Sequence, residues 1–515
     1  MSIQLGIAVL GYVLWNMALV RGKEKYKGLK TIVAIYMYLL FIVCPLAISP
    51  SGGYFNIDLF KFGFFLTFSA GCFFSALIWG LYTRFWRYDQ IPISLVDTIA
   101  LVYLCFSFVA FVLSGGPNRS LTGADGWWTG LLFQALLVFL LFSVSKFGKY
   151  ANTWLYAALI TGCAVFLLGI LNRFSIDPFG FYKGVDPLGQ IRFLSTIGQA
   201  TWYSTYLCLL YPLGIFLFTA KEKPLSKVLS IVFMVLSSAS LVTQNSDSAY
   251  AAVFIEFVMI TVMYIAQGDK VRSLGLSYMI ISISVISTGF LEKIFSLRFH
   301  QIDPLSIWVA QGPLPFLLLI FGALLYFAGE GLLKKKSPKV IALFTLCIIL
   351  AAGALVGTFA LRKGNLLSGY ENFDHSWGNG RGLIWTRVME MYRDLPLWRK
   401  VLGIGPGMMS AYMEKYTELV LDNAHNEWLT VFIEGGVFAG LSYFLIFVLA
   451  IVRSIRASFL QKDDNGRLLL IAIAAGAAGY VGHGMFCYQQ FLTTPMVFVL
   501  IGLSEAVAFN KDTKM

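Results

Sequence analysis

Apolar residues recur along this chain in runs of about 17–25 positions, separated by shorter polar stretches. A run of that length matches the roughly 30 Å of hydrocarbon that one helix must cross. Fifteen such runs lie near 2–20, 31–49, 63–82, 94–113, 128–145, 153–171, 203–219, 225–242, 249–267, 274–290, 307–329, 340–360, 428–452, 468–486 and 492–509. They predict an all-α polytopic integral membrane protein of about 14–15 transmembrane helices, the shorter runs suiting re-entrant or interfacial segments as well. Two polar stretches interrupt the pattern, giving N-terminal helices over 1–171, a first loop over 172–204, central helices over 205–360, a long loop over 361–427 and C-terminal helices over 428–515. Loops as long as the second are uncommon and usually functional.

Charge placement orients these elements. With the N-terminus outside, the alternate loops that fall inside hold 24 of the 39 Lys and Arg residues. Eleven of the other 15 sit in the two long loops, which leaves four for all the short outer loops. That is a strong positive-inside bias. It predicts a cytoplasmic C-terminus, both long loops outside, and every basic residue in a loop.

Much of the net charge of +12 is this topological signal spread over eight inner segments, where anionic membrane lipid is a partner for some of it, so nucleic acid is not implied. The first apolar run lacks a basic start and precedes a basic cluster, so no cleavable signal peptide is expected. The seven cysteines are scattered, form no CxxC pair and read as packing residues without disulfides. DxD, HExxH, Walker and Rossmann patterns are missing, and no inner loop is long enough to bind a nucleotide sugar. An activated substrate would therefore come from the membrane itself.

The long loop carries eight basic and eight acidic residues, so it is neutral and no general anion attractor. Its cations are mostly arginine, which can fork onto phosphate. Arg381 follows Gly378-Asn379-Gly380, where backbone can approach a ligand closely. Arg387 and Arg393 are placed to pair with Glu390 and Asp394 on a helix running from Arg381 to Arg393. A second helix is expected over Met408–Leu419, with Gly403-Ile404-Gly405-Pro406-Gly407 as a tight turn between them. Asp422 or Asn423 would N-cap the helix that follows, putting His425 in its first turn. The positive end of a helix disfavours imidazolium, and a neutral histidine suits a general base. His300, His375 and His483 lack such a setting and read as structural. Glu256 lies inside an apolar run and is a functional candidate on that ground. Asp247 starts the next helix as a candidate N-cap or ligand. Glu434, nine residues after His425, faces away from it on a regular helix. Trp385, Trp398 and Trp428 can stack on a sugar or lie at the interface.

In order, Arg192 with the Ser195-to-Tyr203 entry, the Asn245-to-Ser248 turn, Gly380-Arg381 with Trp385, the Gly403/Gly405/Gly407 turn, and Asn423-Ala424-His425-Asn426 before Glu434-Gly435-Gly436 resemble the O-antigen ligase/polymerase superfamily of bacterial membrane glycosyltransferases. The resemblance spans roughly residues 188–442. It implies an architecture like that of C-type membrane glycosyltransferases, with a long, partly helical extracytoplasmic loop. It also implies a bacterial cytoplasmic membrane location, an undecaprenyl-diphosphate-linked glycan as donor, a glycan or lipid acceptor, and no metal or other cofactor. On the family's pattern Arg192 and Arg381 would hold the donor diphosphate and His425 would act in transfer. Asn379, Trp385, Asn423, Asn426 and Asp247 would be further substrate contacts. Two positions depart from the pattern and speak against lipopolysaccharide ligation in the narrow sense. These are Ala439, where many ligases have Gly, Thr or Tyr, and Asp247, where many members have arginine.

The expected reaction is a metal-independent inverting glycosyl transfer in surface polysaccharide synthesis, with polymerase slightly ahead of ligase. The alternatives are a lipid-linked glycan flippase or exporter, for which Glu256 is the best residue, and an oligosaccharyltransferase acting on protein.

Overall fold

A computed structural model describes residues 27–48, 53, 54, 56–83, 92–220, 223–300, 303–335, 337, 338, 340–343, 345–349, 353 and 373–509. Among the described residues the structure is 77% helical with almost no strand, an all-α polytopic membrane protein. The helices are α1 Lys27–Leu46, α2 Ile57–Thr83, α3 Leu95–Leu113, α4 Pro117–Thr122, α5 Leu131–Phe147, α6 Asn152–Arg173 and α7 Pro187–Arg192. After a two-residue hairpin of β1 (Phe193–Leu194) and β2 (Gly198–Gln199) come α8 Ala200–Thr219, α9 Pro224–Thr243, α10 Asp247–Gln267, α11 Val271–Ile294, α12 Pro304–Gln311 and α13 Leu314–Lys335. The long loop supplies α14 Trp377–Asp394, α15 Leu397–Leu402 and α16 Met409–Met413, and α17 Glu427–Leu460, α18 Asp464–Gly484 and α19 Thr494–Phe509 complete the fold.

Among the described residues ten helices are long and apolar enough to cross a membrane, or eleven if Pro304–Gln311 and Leu314–Phe327, bent by 43°, form one span. The difference from fifteen has particular sources. The run 2–20 lies outside the described residues, and 340–360 is described only in part. The runs at 128–145 and 492–509 form short helices that pack against each other as α5 and α19. The centre of the bundle is α8 and α18, whose apolar stretches are 94% and 83% buried, against 33% for α2 and α3 at the periphery. Protein rather than lipid surrounds these two helices, so polar side chains on them meet protein partners.

Several basic residues lie within helices, contrary to the expectation that all occupy loops, and among the described residues Lys61 and Arg173 are the buried ones. Lys61 in α2 is buried, and its ammonium donates to the carbonyls of Cys44 (2.8 Å), Pro45 (3.1 Å) and Ala47 (3.0 Å) at the end of α1. Arg173, the last residue of α6, is likewise buried on carbonyls alone. Each answers carbonyls that a helix end leaves open.

The long loop is fastened to the bundle at a glycine crossing. Helix α17 is broken at Gly436 (φ 77°, ψ 179°), and residues 437–460 alone would span about 36 Å. The turn after α15 lies in that break: Gly405 N–H donates to Glu434 O (2.9 Å) and Ile404 N–H to Ile433 O (3.3 Å). A Cβ on Gly403 would meet Glu434 O at 2.3 Å, and one on Gly436 would meet Val401 O at 2.2 Å. The Glu434 carboxylate accepts from Gly407 N (2.9 Å) and Met409 N (3.2 Å), so it serves the turn and not His425, as its spacing suggested. Arg119 closes the other side, donating to Gly407 O (3.1 Å) and pairing with Asp422 (2.8 Å). Gly436→Ala combines a glycine-only backbone with a clash against backbone, and should cost on the order of 3 kcal/mol. Thermal unfolding in detergent should show a clearly lowered midpoint; an unchanged one would refute the crossing.

Candidate active site

The turn Gly378-Asn379-Gly380 has three successive left-handed residues (φ 59°, 60° and 89°), after which α14 runs regularly from Arg381 and stops before Leu395-Pro396. The helix is where the sequence predicts it. Its first side chain, Arg381, donates through Nη2 (2.8 Å) and Nε (3.2 Å) to Phe486 O, and through Nη1 (2.7 Å) to Gly378 O. The guanidinium also lies 5.9 Å from the Phe486 ring centroid. No carboxylate pairs with it among the described residues. A guanidinium has five N–H donors, so these contacts leave two for a ligand.

Phe486 belongs to residues 485–493, a non-helical stretch between α18 and α19 that is buried from Cys487 onward. Unwound backbone at this depth is tolerated where protein satisfies it. The same stretch carries Tyr488, whose ring meets His425 edge-on (centroids 5.3 Å, 79°). The Tyr488 hydroxyl is bonded to Gln199 of β2 and accepts from Trp202 Nε1 (3.2 Å).

His425 itself stands in a tightly bonded loop. Trp385 Nε1 donates to Ala424 O (2.9 Å), Ala424 N to Thr430 Oγ1 (3.0 Å), and His425 N to Asn423 Oδ1 (2.9 Å). Asn426, not Asp422 or Asn423, caps α17 by accepting from Leu429 N (3.0 Å). His425 therefore precedes the cap, in a left-handed conformation (φ 49°), rather than lying in the first helical turn. Its Nδ1 is buried without a hydrogen-bond partner, and so is Asn423 Nδ2. Burial, then the charge of Arg381, push the His425 pKa down to about 4, against a small opposing effect of the Asn423 bond. The expected neutral histidine is found, but its cause is burial beside a cation more than a helix end. Buried polar atoms without partners are uncommon in folded proteins, and two in one four-residue loop are a reason to look for a ligand.

Arg192, on the last turn of α7, is exposed and makes no hydrogen bond or ion pair among the described residues. Its neighbour Phe193 pairs with Gln199, the residue that holds Tyr488 against His425. The loop of Arg192 thus reaches the His425 pocket through that hairpin, although no direct contact joins Arg192 to Arg381 or His425.

The other candidates separate. Trp385 joins Trp377 (5.0 Å) and Phe486 (6.5 Å) in an aromatic cluster next to Arg381. Asn379 is exposed, with no partner among the described residues. Asp247 is the first residue of α10, and the N-cap position is occupied by Ser246. His483 is a buried core histidine between Ser248 Oγ (3.2 Å) and Thr205 Oγ1 (3.5 Å). His300 meets Ser175 Oγ (3.3 Å), and His375 is exposed. Arg387 pairs with Glu390 (2.8 Å), as the spacing predicts, and Arg393 is exposed. Glu256 is fully buried against Gly479 with neither carboxyl oxygen bonded. Glu427, at the start of α17, is held by Tyr443 (2.5 Å) and Tyr480 (3.0 Å). All seven cysteines are free. Among the described residues no cluster of three or more His, Cys, Asp and Glu side chains could hold a metal ion. Phe486, Tyr488 and Gln199 were not legible as site residues, since only the unwinding of 485–493 and the hairpin brings them there.

An open groove of about 610 Å³ runs from Trp385 and Asn426 past Trp428, Leu429, Met389 and Phe432. Glu390 and Arg393 are the charged residues in its lining. The walls are otherwise mostly apolar, as a lipid chain requires.

No curated protein matches the chain. The sequence model of the O-antigen ligase family matches residues 305–444, a stretch that includes Arg381, Trp385, Asn423, His425 and Asn426 and excludes Arg192 and Asp247. This match supports placing the chain in the O-antigen ligase/polymerase superfamily, and with it a membrane glycosyltransferase activity of the O-antigen ligase kind on lipid-linked glycans.

Proposed function

We propose that this protein transfers a glycan from an undecaprenyl-diphosphate donor to a sugar hydroxyl at the outer face of the bacterial cytoplasmic membrane, with its N-terminus outside and its C-terminus inside. The observation that carries this reading is a guanidinium held only by carbonyls, Arg381, acting electrostatically on a buried histidine whose Nδ1 has no partner. Neutral His425 takes the proton of the acceptor hydroxyl, and the oxygen attacks the anomeric carbon. The bond from that carbon to the diphosphate breaks with inversion, and the leaving group takes the electron pair. Arg381 and Arg192 meet the charge on the diphosphate, so in this metal-independent reading two guanidinium groups do the work of a cation. Trp385, Asn379, Asn423 and Asn426 border the sugars, Asp247 is a more distant contact, and the groove beside Trp428 and Phe432 suits a prenyl chain. Polymerisation is slightly favoured over ligation, because Ala439 departs from many ligases and Asp247 from many family members.

Glu256 supports a second reading, transport of a lipid-linked glycan, because an unpartnered acid inside a membrane is rarely incidental. A deletion strain separates the readings through its lipid-linked intermediates. Single repeat units on the lipid mean polymerase, long polymer on the lipid means ligase, and accumulation on the cytoplasmic leaflet means flippase. Glycan missing from protein, with lipid-linked chains otherwise normal, means transfer to protein.

His425→Ala should lower turnover by roughly 10²- to 10⁴-fold in membranes that contain normal amounts of the protein. Unchanged product yield would remove the base. Arg381→Ala should lower turnover by on the order of a hundredfold, and full activity in that variant would sink the diphosphate assignment.

The pH profile adds a third check. With its pKa held down to about 4, His425 stays neutral in the free protein at all but acidic pH. A bound diphosphate offsets the charge of Arg381 and so raises the histidine pKa. The acid limb of kcat/KM, which reports the free protein, should therefore lie at lower pH than that of kcat, which reports the donor complex. Coincident limbs would count against the coupling of Arg381 to His425.

A further inference from the structure

Arg173 is fully buried at the end of α6 and has no acidic partner in contact among the described residues. Its Nε donates to Thr243 O (2.8 Å), and Nη1 and Nη2 both donate to Ile191 O (3.3 Å each). Burying a guanidinium is costly, and a neutral amide could satisfy two carbonyls. Ile191 is the residue immediately before Arg192. On the other side of Arg192, the Tyr182 hydroxyl donates to Phe193 O (2.6 Å). Further along, Ser195 N donates to Asn172 Oδ1 (2.9 Å), and the Tyr54 hydroxyl donates to Ser195 O (2.9 Å). The backbone on both sides of Arg192 is therefore pinned, while its side chain is exposed and unpartnered among the described residues.

A cation kept on a fixed backbone but without a counter-ion is prepared for an anion brought from outside. A forked donor suits this task, because its plane holds the accepting carbonyl in direction as well as in distance. Lysine would keep the charge and lose the fork.

We propose that Arg173 is a positioning residue for Arg192, holding the Ile191 carbonyl so that the Arg192 guanidinium meets the phosphoanhydride of a lipid diphosphate. This rests on the reading of Arg192 as a diphosphate contact. It adds a buried residue that touches no substrate yet sets the affinity for that group.

The test is binding of undecaprenyl diphosphate to the full-length protein in nanodiscs, with undecaprenol as the lipid that lacks the anion. Arg192→Ala should weaken undecaprenyl diphosphate roughly tenfold and leave undecaprenol unchanged. Arg173→Lys should do the same, to a similar or smaller extent. On the Arg192→Ala background, Arg173→Lys should add nothing, because the residue it positions is gone. A wild-type affinity in Arg173→Lys, an equal loss for both lipids, or a further loss in the double variant would each overturn the proposal while leaving the diphosphate role of Arg192 standing. Unaltered diphosphate binding in Arg192→Ala would overturn both. If Arg173→Lys does not yield folded protein, Tyr182→Phe removes the pin on the opposite side of Arg192 and is read in the same way. Selective loss of diphosphate binding, absent on the Arg192→Ala background, supports the clamp, and any other result overturns it.

Discussion

A carbonyl without a donor in a hydrocarbon environment costs several kcal/mol, so a membrane protein can interrupt a helix only where something else satisfies the backbone. Here cations do much of that work. Lys61 takes the carbonyls that end α1, Arg173 those of Thr243 and Ile191, and Arg381 those of Phe486 and Gly378. None of the three has an acidic partner in contact among the described residues. Each lets the chain turn or unwind where a continuous helix would leave no room for a site. Arg381 goes furthest, because the unwound stretch it secures carries Tyr488 to His425.

The same economy makes the site rigid. The long loop would be free to move were it joined to the bundle only at its ends. Instead the turn at Gly403 enters the break in α17, Glu434 caps it from below, and Arg119 with Asp422 closes it from the side. Trp385 then holds the Ala424 carbonyl, which fixes the backbone next to His425. A site on so firmly held a loop can present its groups in one geometry, and a transfer reaction driven by positioning depends on that. The charges are arranged to the same end: burial, together with the cation that secures the backbone, keeps the neighbouring histidine neutral.

Local rules were reliable where neighbours in sequence are neighbours in space. The spacing of Arg387 and Glu390 on one helix face was enough to foresee their ion pair. The helix foreseen from Arg381 to Arg393 is found, and it ends before Leu395-Pro396. The rules failed where two local solutions compete. Asp422, Asn423 and Asn426 can all cap a helix, and the choice fell on Asn426 because Asp422 is engaged by Arg119 and Asn423 accepts from His425 N. The helix foreseen over Met408–Leu419 shrank to Met409–Met413.

The sequence by itself determined that this is a helical membrane protein, since apolar runs of spanning length allow few other folds. It also determined where its polar loops lie and which arginines and histidine stand out within them. Only the tertiary structure decided that Lys61 and Arg173 are buried, that residues 485–493 unwind, and that Phe486, Tyr488 and Gln199 complete the pocket of His425. The physical reason is the separation along the chain. Arg381 and Phe486 stand 105 residues apart and Gln199 and Tyr488 289, so no periodicity relates them. Their contacts arise from the packing of α8, α10, α17 and α18, and a pattern of hydrophobic positions specifies that packing only as a whole.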